Sequence, residues 1–225
     1  NNIIFFFGTV FVQAAVGFLL AVLLKKKLPG SNVFKAVYFM PIAMATSITT
    51  AIFKIIMDPT NGSLNNFLRA IHLDMFAVSW LGDKRYALLS VIIVNIFQWM
   101  GFSMITYYAG LMALPDDVYE AAKIDGAGEL RTWATIMIPG IMPSISTIII
   151  FDFIGNWNAF LWPIIVLQDP EKYPLATALQ YLNGSFSYKF GYVAAGTVIS
   201  IIPVLLVFMM CQKNYIEAVS GAVKG

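Results

Sequence analysis

Five apolar runs dominate this chain, and each is long enough to cross a bilayer: residues 3–24, 36–57, 86–114, 141–167 and 191–212. A helix needs about 20 apolar residues to span the hydrocarbon layer. Lipid offers no hydrogen bonds to backbone N–H and C=O groups, so only helices and closed barrels cross it. These runs far exceed the roughly 10-residue alternating strands of a barrel. The expected fold is therefore all-α, a polytopic membrane protein with five transmembrane helices. Composition agrees: 12% of residues are charged, about half the share in a soluble domain. Pro41 interrupts the second run and Pro203 lies within the fifth.

Several chemistries are excluded early. A net charge of +2 gives no argument for nucleic acid. The single cysteine, Cys211, cannot form an internal disulfide or a cysteine metal cluster, and the single histidine, His72, argues against a histidine metal site. The G-x4-G-K-[ST] loop that cradles nucleotide phosphates is absent from the sequence. No catalytic residue, cofactor site or metal site is expected.

Lysine and arginine set the orientation, because they are retained on the cytoplasmic side. The first run ends in Lys25, Lys26 and Lys27, with Lys35 close behind, which puts 25–35 inside. Alternation then places 58–85 outside, 115–140 inside, 168–190 outside and 213–225 inside. The inside segments hold eight Lys/Arg and the outside segments five. Asn1 falls outside, so the expectation is a chain lacking one earlier helix. Residues 212–225 are expected to fray, or to lie against a cytoplasmic partner.

The inner segment 115–138 has an unusual charge. Asp116, Asp117, Glu120, Asp125 and Glu129 face only Lys123 and Arg131, although loops beside anionic lipid are usually basic. Asp117 and Glu120 have capping-box spacing, predicting a short helix over 118–125. Gly126 is placed to take a left-handed backbone at its end. A second short helix from about Glu129 would return the chain to the membrane at Pro139. A solvated hairpin joining two spans accounts for this composition as well as a docking element does.

The spacing within this elbow resembles a known pattern. Glu120-Ala121-Ala122, three residues, Gly126, nine residues, Ile136, one residue, Ile138 and Pro139 look like the E-A-A-x3-G-x9-I-x-L-P loop of ABC-importer permeases, with Ile138 in place of leucine. "GNWNAFLWPIIVLQDPEKYPLATALQ" (155–180) and the ending "SGAVKG" look like the carbohydrate-uptake branch, similar to maltose-type permease subunits, while "GSLNNFL" and "WLGD" look closer to the other permease of such pairs.

The resemblance covers essentially all of residues 1–225 and implies a transmembrane permease domain with a cytoplasmic coupling loop at 115–138. It also implies a six-helix core, in a prokaryotic cell (inner) membrane. Its implied partners are cytoplasmic ATPase subunits, a second permease subunit in a heterodimer, an extracytoplasmic binding protein and a sugar. Asp117, Glu120, Ala121, Ala122, Asp125 and Gly126 would then engage the ATPase. The runner-up is a secondary transporter or channel driven through Asp152. Within the ABC class, a solute such as glycerol phosphate is the alternative cargo.

Polar residues inside the runs mark a candidate substrate path. An ionisable residue at mid-span costs about 2.5–3.5 kcal/mol on insertion scales, and Asp152 is such a residue. Asn156, four positions on, shares its helical face. Trp157 and Asn158 beside Gly155, with Pro163 beyond, predict a helix that loosens on its outer half. In the third run Asn95, Gln98 and Trp99 begin a stripe that continues through 102 and 106. These residues either line a path or hold helices together by hydrogen bonds. Trp162 is either a sugar-stacking face or an interfacial anchor. Gln13 and the hydroxyl residues 46, 47, 49 and 50 read as weaker cases, suited to helix packing.

Overall fold

The computed structural model describes residues 2–25, 29–167, 169–185 and 190–223. Lys26 and Lys27, which helped set the expected orientation, lie outside the described residues, as do the last two residues of the SGAVKG ending. The described chain is helical, with no strand among its residues. In order it forms α1 (Asn2–Lys25), α2 (Ser31–Ala43), α3 (Thr46–Ile56), α4 (Ser63–Ala70), α5 (Ala87–Met112), α6 (Asp116–Ile124) and α7 (Glu129–Thr132). A π-turn over Trp133–Met137 follows. Then come α8 (Ile138–Gly140), α9 (Met142–Trp157), α10 (Leu161–Val166), α11 (Leu175–Ser185) and α12 (Phe190–Val223).

Three of the five runs form unbroken helices of membrane length. α5, with 26 residues, measures about 39 Å at 1.5 Å per residue. The second run is different. α2 and α3 meet at a bend of 100°, so the single second span expected from 36–57 is a broken pair. Pro41 sits inside α2, and the break comes later, at Met44 and Ala45, whose ψ angles are 135° and 137°. Gln98 on α5 donates from Nε2 to the Met44 carbonyl at 3.3 Å, satisfying an acceptor that the break removes from the helix ladder. The fourth run also breaks, between α9 and α10, where the sequence predicts loosening. α12 continues to Val223 rather than fraying from 212, since 212–220 holds neither glycine nor proline.

α1 packs along α5 and α9, α2 crosses α5, and α12 lies along α9. The interior is layered. One apolar cluster gathers Phe5, Val91, Val94, Trp162 and Val166 near one end of the bundle. A second gathers Ala21, Val22, Tyr107, Leu111, Ile141 and Ile148 near the other. Between them, Gln13, Ser103, Asp152 and Asn156 are buried. Small residues permit the close crossings. A Cβ on Gly17 would lie 2.7 Å from Ser103 Cβ, and one on Gly101 would collide with the Tyr38 carbonyl oxygen of α2. The window of α12 richest in apolar residues has none buried, as expected of a helix solvated by lipid or by another protein.

The segment between α3 and α5, expected outside, is tied by one side chain. Asn65 on α4, 1% exposed, donates to the Pro59 and Val78 carbonyls at 3.2 and 2.9 Å and accepts from Trp80 Nε1 at 2.7 Å. His72 takes φ 59°. It closes α4 with a bond from Leu73 N to Leu68 O at 2.8 Å, the left-handed helix end of a Schellman motif. Asn65→Ala removes all three bonds and should cost about 2–3 kcal/mol. Thermal unfolding in detergent should show the loss, with faster proteolysis between 58 and 86. Lys84 pairs with Asp169 at 2.7 Å, bridging this segment to the one after α10. That bond holds the Asp169 carboxyl below its ordinary value, so the tie persists at neutral pH and is lost as pH falls through the depressed value.

Candidate functional site

The polar layer opens onto a cavity of about 420 Å³ lined by Ile42, Asn95, Trp99, Phe102, Phe151, Asp152, Ile154, Gly155 and Asn156. A second cavity, of about 320 Å³, shares Asn95, Trp99 and Gly155 and adds Thr46, Gln98, Asn158 and Trp162. The break between α9 and α10 and the bend between α2 and α3 both reach this second cavity, so irregular backbone borders a void here. Of the sequence-predicted path residues, Asn95, Gln98, Trp99, Asp152, Asn156 and Asn158 lie on these walls.

Trp157 does not. Its Nε1 donates to Ser200 O of α12 at 2.9 Å and its ring stacks on Phe153 at 5.3 Å. Position 157 is about 100° around the helix from 156, so it faces α12 instead. Trp162 is 5% exposed and donates to Val91 O at 3.1 Å. It belongs mainly to the apolar cluster, not to a membrane surface. The aromatic faces that do border the first cavity are Trp99, Phe102 and Phe151, with Phe102 and Phe151 edge to face at 6.1 Å.

Asp152 is 6% exposed and bound by Gln13, whose Nε2 donates to its Oδ2 at 2.8 Å and to Ser103 Oγ at 3.0 Å. One carboxamide thus pins α1, α5 and α9 together at mid-span. Asn156 Nδ2 donates to the Asp152 carbonyl at 2.8 Å. The Oδ1 atoms of Asn95 and Asn156 have no partner. Gln13 is therefore more than a packing residue: a lone carboxamide at mid-span, opposite a lone carboxyl, was the signal available. Gln13→Ala leaves both Asp152 and Ser103 short of a donor and should lower stability by about 1–3 kcal/mol. Melting of the purified protein in detergent checks this, with Asp152→Asn, which keeps an acceptor for Gln13, expected to lose less.

The elbow folds as a helix, a left-handed glycine and a second helix. α6 begins at Asp116, two residues before the expected start. Asp117 therefore lies in its first turn and not at a cap, and Val118 N bonds Pro115 O at 3.3 Å. Both aspartates still oppose the positive helix end. Gly126 takes φ 71° and Ala127 N reaches Ala122 O at 2.9 Å, again a Schellman end. Beyond α7, the helix widens to a π-turn before Pro139. The proline ring crowds the carbonyl four residues back, and widening relieves the clash.

Asp117, Glu120, Ala121, Asp125 and Gly126 are exposed, whereas Ala122 is buried within this chain. Consecutive helical residues point about 100° apart, and here Ala121 turns outward while Ala122 packs within the chain. Sequence reasoning passed over the apolar tips of the elbow: Ile124 is 84% exposed and Leu130 78%. The elbow is anchored to the bundle by Lys25 at the end of α1. Its Nζ lies 3.3 Å from the Tyr119 ring centroid and donates to Leu111 O at 3.3 Å.

With this geometry in view, comparison with known proteins is decisive for the family. Residues 6–216 match the binding-protein-dependent transport system inner membrane component family. The chain belongs to this family. It is 32% identical over 220 residues to the probable ABC transporter permease protein YurN of Bacillus subtilis, covering 96% of this chain and 75% of YurN. It is 30% identical over 190 residues to the diacetylchitobiose uptake system permease protein NgcF of Streptomyces coelicolor, covering 82% of this chain and 54% of NgcF. Its fold matches a bacterial ABC transporter involved in the import of the acidic polysaccharide alginate, with TM-score 0.73 and 21% identity, over 95% of this chain and 80% of that one.

As an inner membrane component of this family, the chain is a polytopic membrane protein whose relatives are transport permeases. The family match spans the elbow and both cavities alike. It runs from Phe6 of α1 to Ile216 of α12.

Proposed function

We propose that this chain is a membrane-spanning permease subunit of an ABC importer for a sugar, itself performing no covalent chemistry. The observation that carries the reading is the elbow. The E-A-A-x3-G segment forms a projecting helical hairpin with acidic Glu120 and apolar Ile124 and Leu130 at its surface. It is joined through Lys25 and Tyr119 to a helix that enters the polar layer. Such a hairpin suits a cytoplasmic ATPase subunit that closes on ATP and carries the hairpin with it. The attached helices then pivot, and the cavity beside Asp152 changes the side to which it opens.

Aromatic faces beside carboxamides suit a sugar, whose ring stacks on Trp99, Phe102 or Phe151 and whose hydroxyls bond Asn95 and Asn156. NgcF, named for diacetylchitobiose uptake, is consistent with this. A second permease would complete the path, and an extracytoplasmic binding protein would deliver the cargo, as the family description suggests.

The test is crosslinking in native membranes. Ile124→Cys or Leu130→Cys, with Cys211 replaced by serine, should crosslink to a nucleotide-hydrolysing subunit that also co-purifies. A chain that purifies without an ATPase and supports uptake after ATP is depleted would instead be a gradient-driven carrier.

A further inference from the structure

The walls of the two mid-span cavities carry a charge pattern that bears on which sugars pass. Their polar side-chain groups are carboxamides, one hydroxyl, one carboxyl and the indole N–H groups of Trp99 and Trp162, the latter committed to Val91 O, and among the described residues no lysine, arginine or histidine lines either cavity. Two of the carboxamide oxygens, Asn95 Oδ1 and Asn156 Oδ1, are acceptors without a partner. The orientation of the Asn156 amide is fixed, because its Nδ2 is committed to the Asp152 carbonyl. Buried acceptors of this kind require donors from whatever occupies the cavity.

Hydroxyl and ammonium groups donate. A carboxylate only accepts; it would face Asn156 Oδ1, Asn95 Oδ1 and Asp152 with neutral N–H donors alone and, among the described lining residues, no cation to balance its charge. In either protonation state Asp152 offers no positive charge, and its Oδ2 already holds Gln13.

We infer that the path selects hydroxyl-rich sugars that are neutral or carry an amine, and rejects uronates, through the acceptor wall of Asn95 and Asn156 beside Asp152. This rests on the sugar-permease reading above and narrows it to a charge class. Rejection arises in the membrane subunit itself, independently of any selection by the binding protein. Asn95 lies on both cavities and is the position from which the wall is most readily re-tuned.

The experiment uses the membrane complex purified with its native partner subunits, with no binding protein in the assay. Equilibrium binding is measured for galactotetraose, for tetragalacturonate of equal length and for a glucosamine tetramer with free amines. The uronate should bind weaker than galactotetraose by roughly a hundredfold, the scale of unmatched like charge at a desolvated contact. The amine-bearing tetramer should bind at least as well as the neutral one. Asn95→Arg supplies the missing cation and should raise tetragalacturonate binding while lowering that of the amine. Equal binding of galactotetraose and tetragalacturonate by the unmodified complex overturns the inference while leaving the sugar reading intact. Binding of none of the three, by a complex that still hydrolyses ATP, overturns the inference; the sugar reading falls with it only where the complex and its binding protein together also transport no sugar.

Discussion

Replacing Gly101 with leucine should leave little folded protein in the membrane. The Cβ of any substituted residue would collide with the Tyr38 carbonyl oxygen, with the Tyr38 carbonyl carbon 2.8 Å away and Phe39 Cα 3.0 Å away. These are backbone atoms of α2, which cannot rotate aside as a side chain tip does. The helix must shift as a body, and that disturbs the neighbouring bond from Gln98 to Met44. Overpacking of a close-packed contact costs about 1–3 kcal/mol even where side chains can adjust, and membrane bundles depend on close backbone approach at small residues. The measurement is yield and melting temperature in detergent. Gly155→Ala provides the contrast, because among the described residues nothing outside its own stretch of helix lies within 4 Å of its Cβ position. A Gly101→Leu protein as abundant and as stable as Gly155→Ala would show that α2 does not sit against α5 as described.

Gly126→Pro should give the opposite separation: normal insertion and bundle stability with no uptake. Proline fixes φ near −65°, while Gly126 requires φ 71°, so the hairpin cannot close as it does here. Apart from its two chain neighbours, no atom of the described residues lies within 4 Å of a Cβ at this position, which confines the damage to the elbow. Gly126→Ala adds only left-handed strain of about 1–2 kcal/mol and should retain part of the uptake. The readouts are membrane abundance, ATP hydrolysis and sugar accumulation measured together. Uptake that survives Gly126→Pro at normal levels would remove the elbow from the coupling path.

The elbow and the long helices were legible because their determinants are local. A left-handed glycine, a proline and an apolar run each act within a few residues, and α1, α5 and the elbow follow from them. The bend at Met44 was not legible. Pro41 signals a disturbance, but the carbonyl freed at the break is met by Gln98, from a helix more than fifty residues away in sequence. The same holds for Gln13. Nothing near it in the chain distinguishes it from a packing residue, and its role comes from Ser103 and Asp152. Trp157 was misplaced for a simpler reason. It was grouped with Asn156 by adjacency, while helical rotation turns neighbouring residues to different faces. Ala121 and Ala122 were grouped in the same way.

The contact of Lys25 with Tyr119 and Leu111 gives α1 a mechanical character. From Lys25 to Gln13 is twelve residues of uninterrupted helix, about 18 Å, without a proline to absorb strain. Under the proposed coupling, a displacement of the hairpin would travel along this rod toward the Asp152 carboxyl with no break in the helix on the way. The stiffness of that rod would then set the gain between the motor side and the middle of the bilayer.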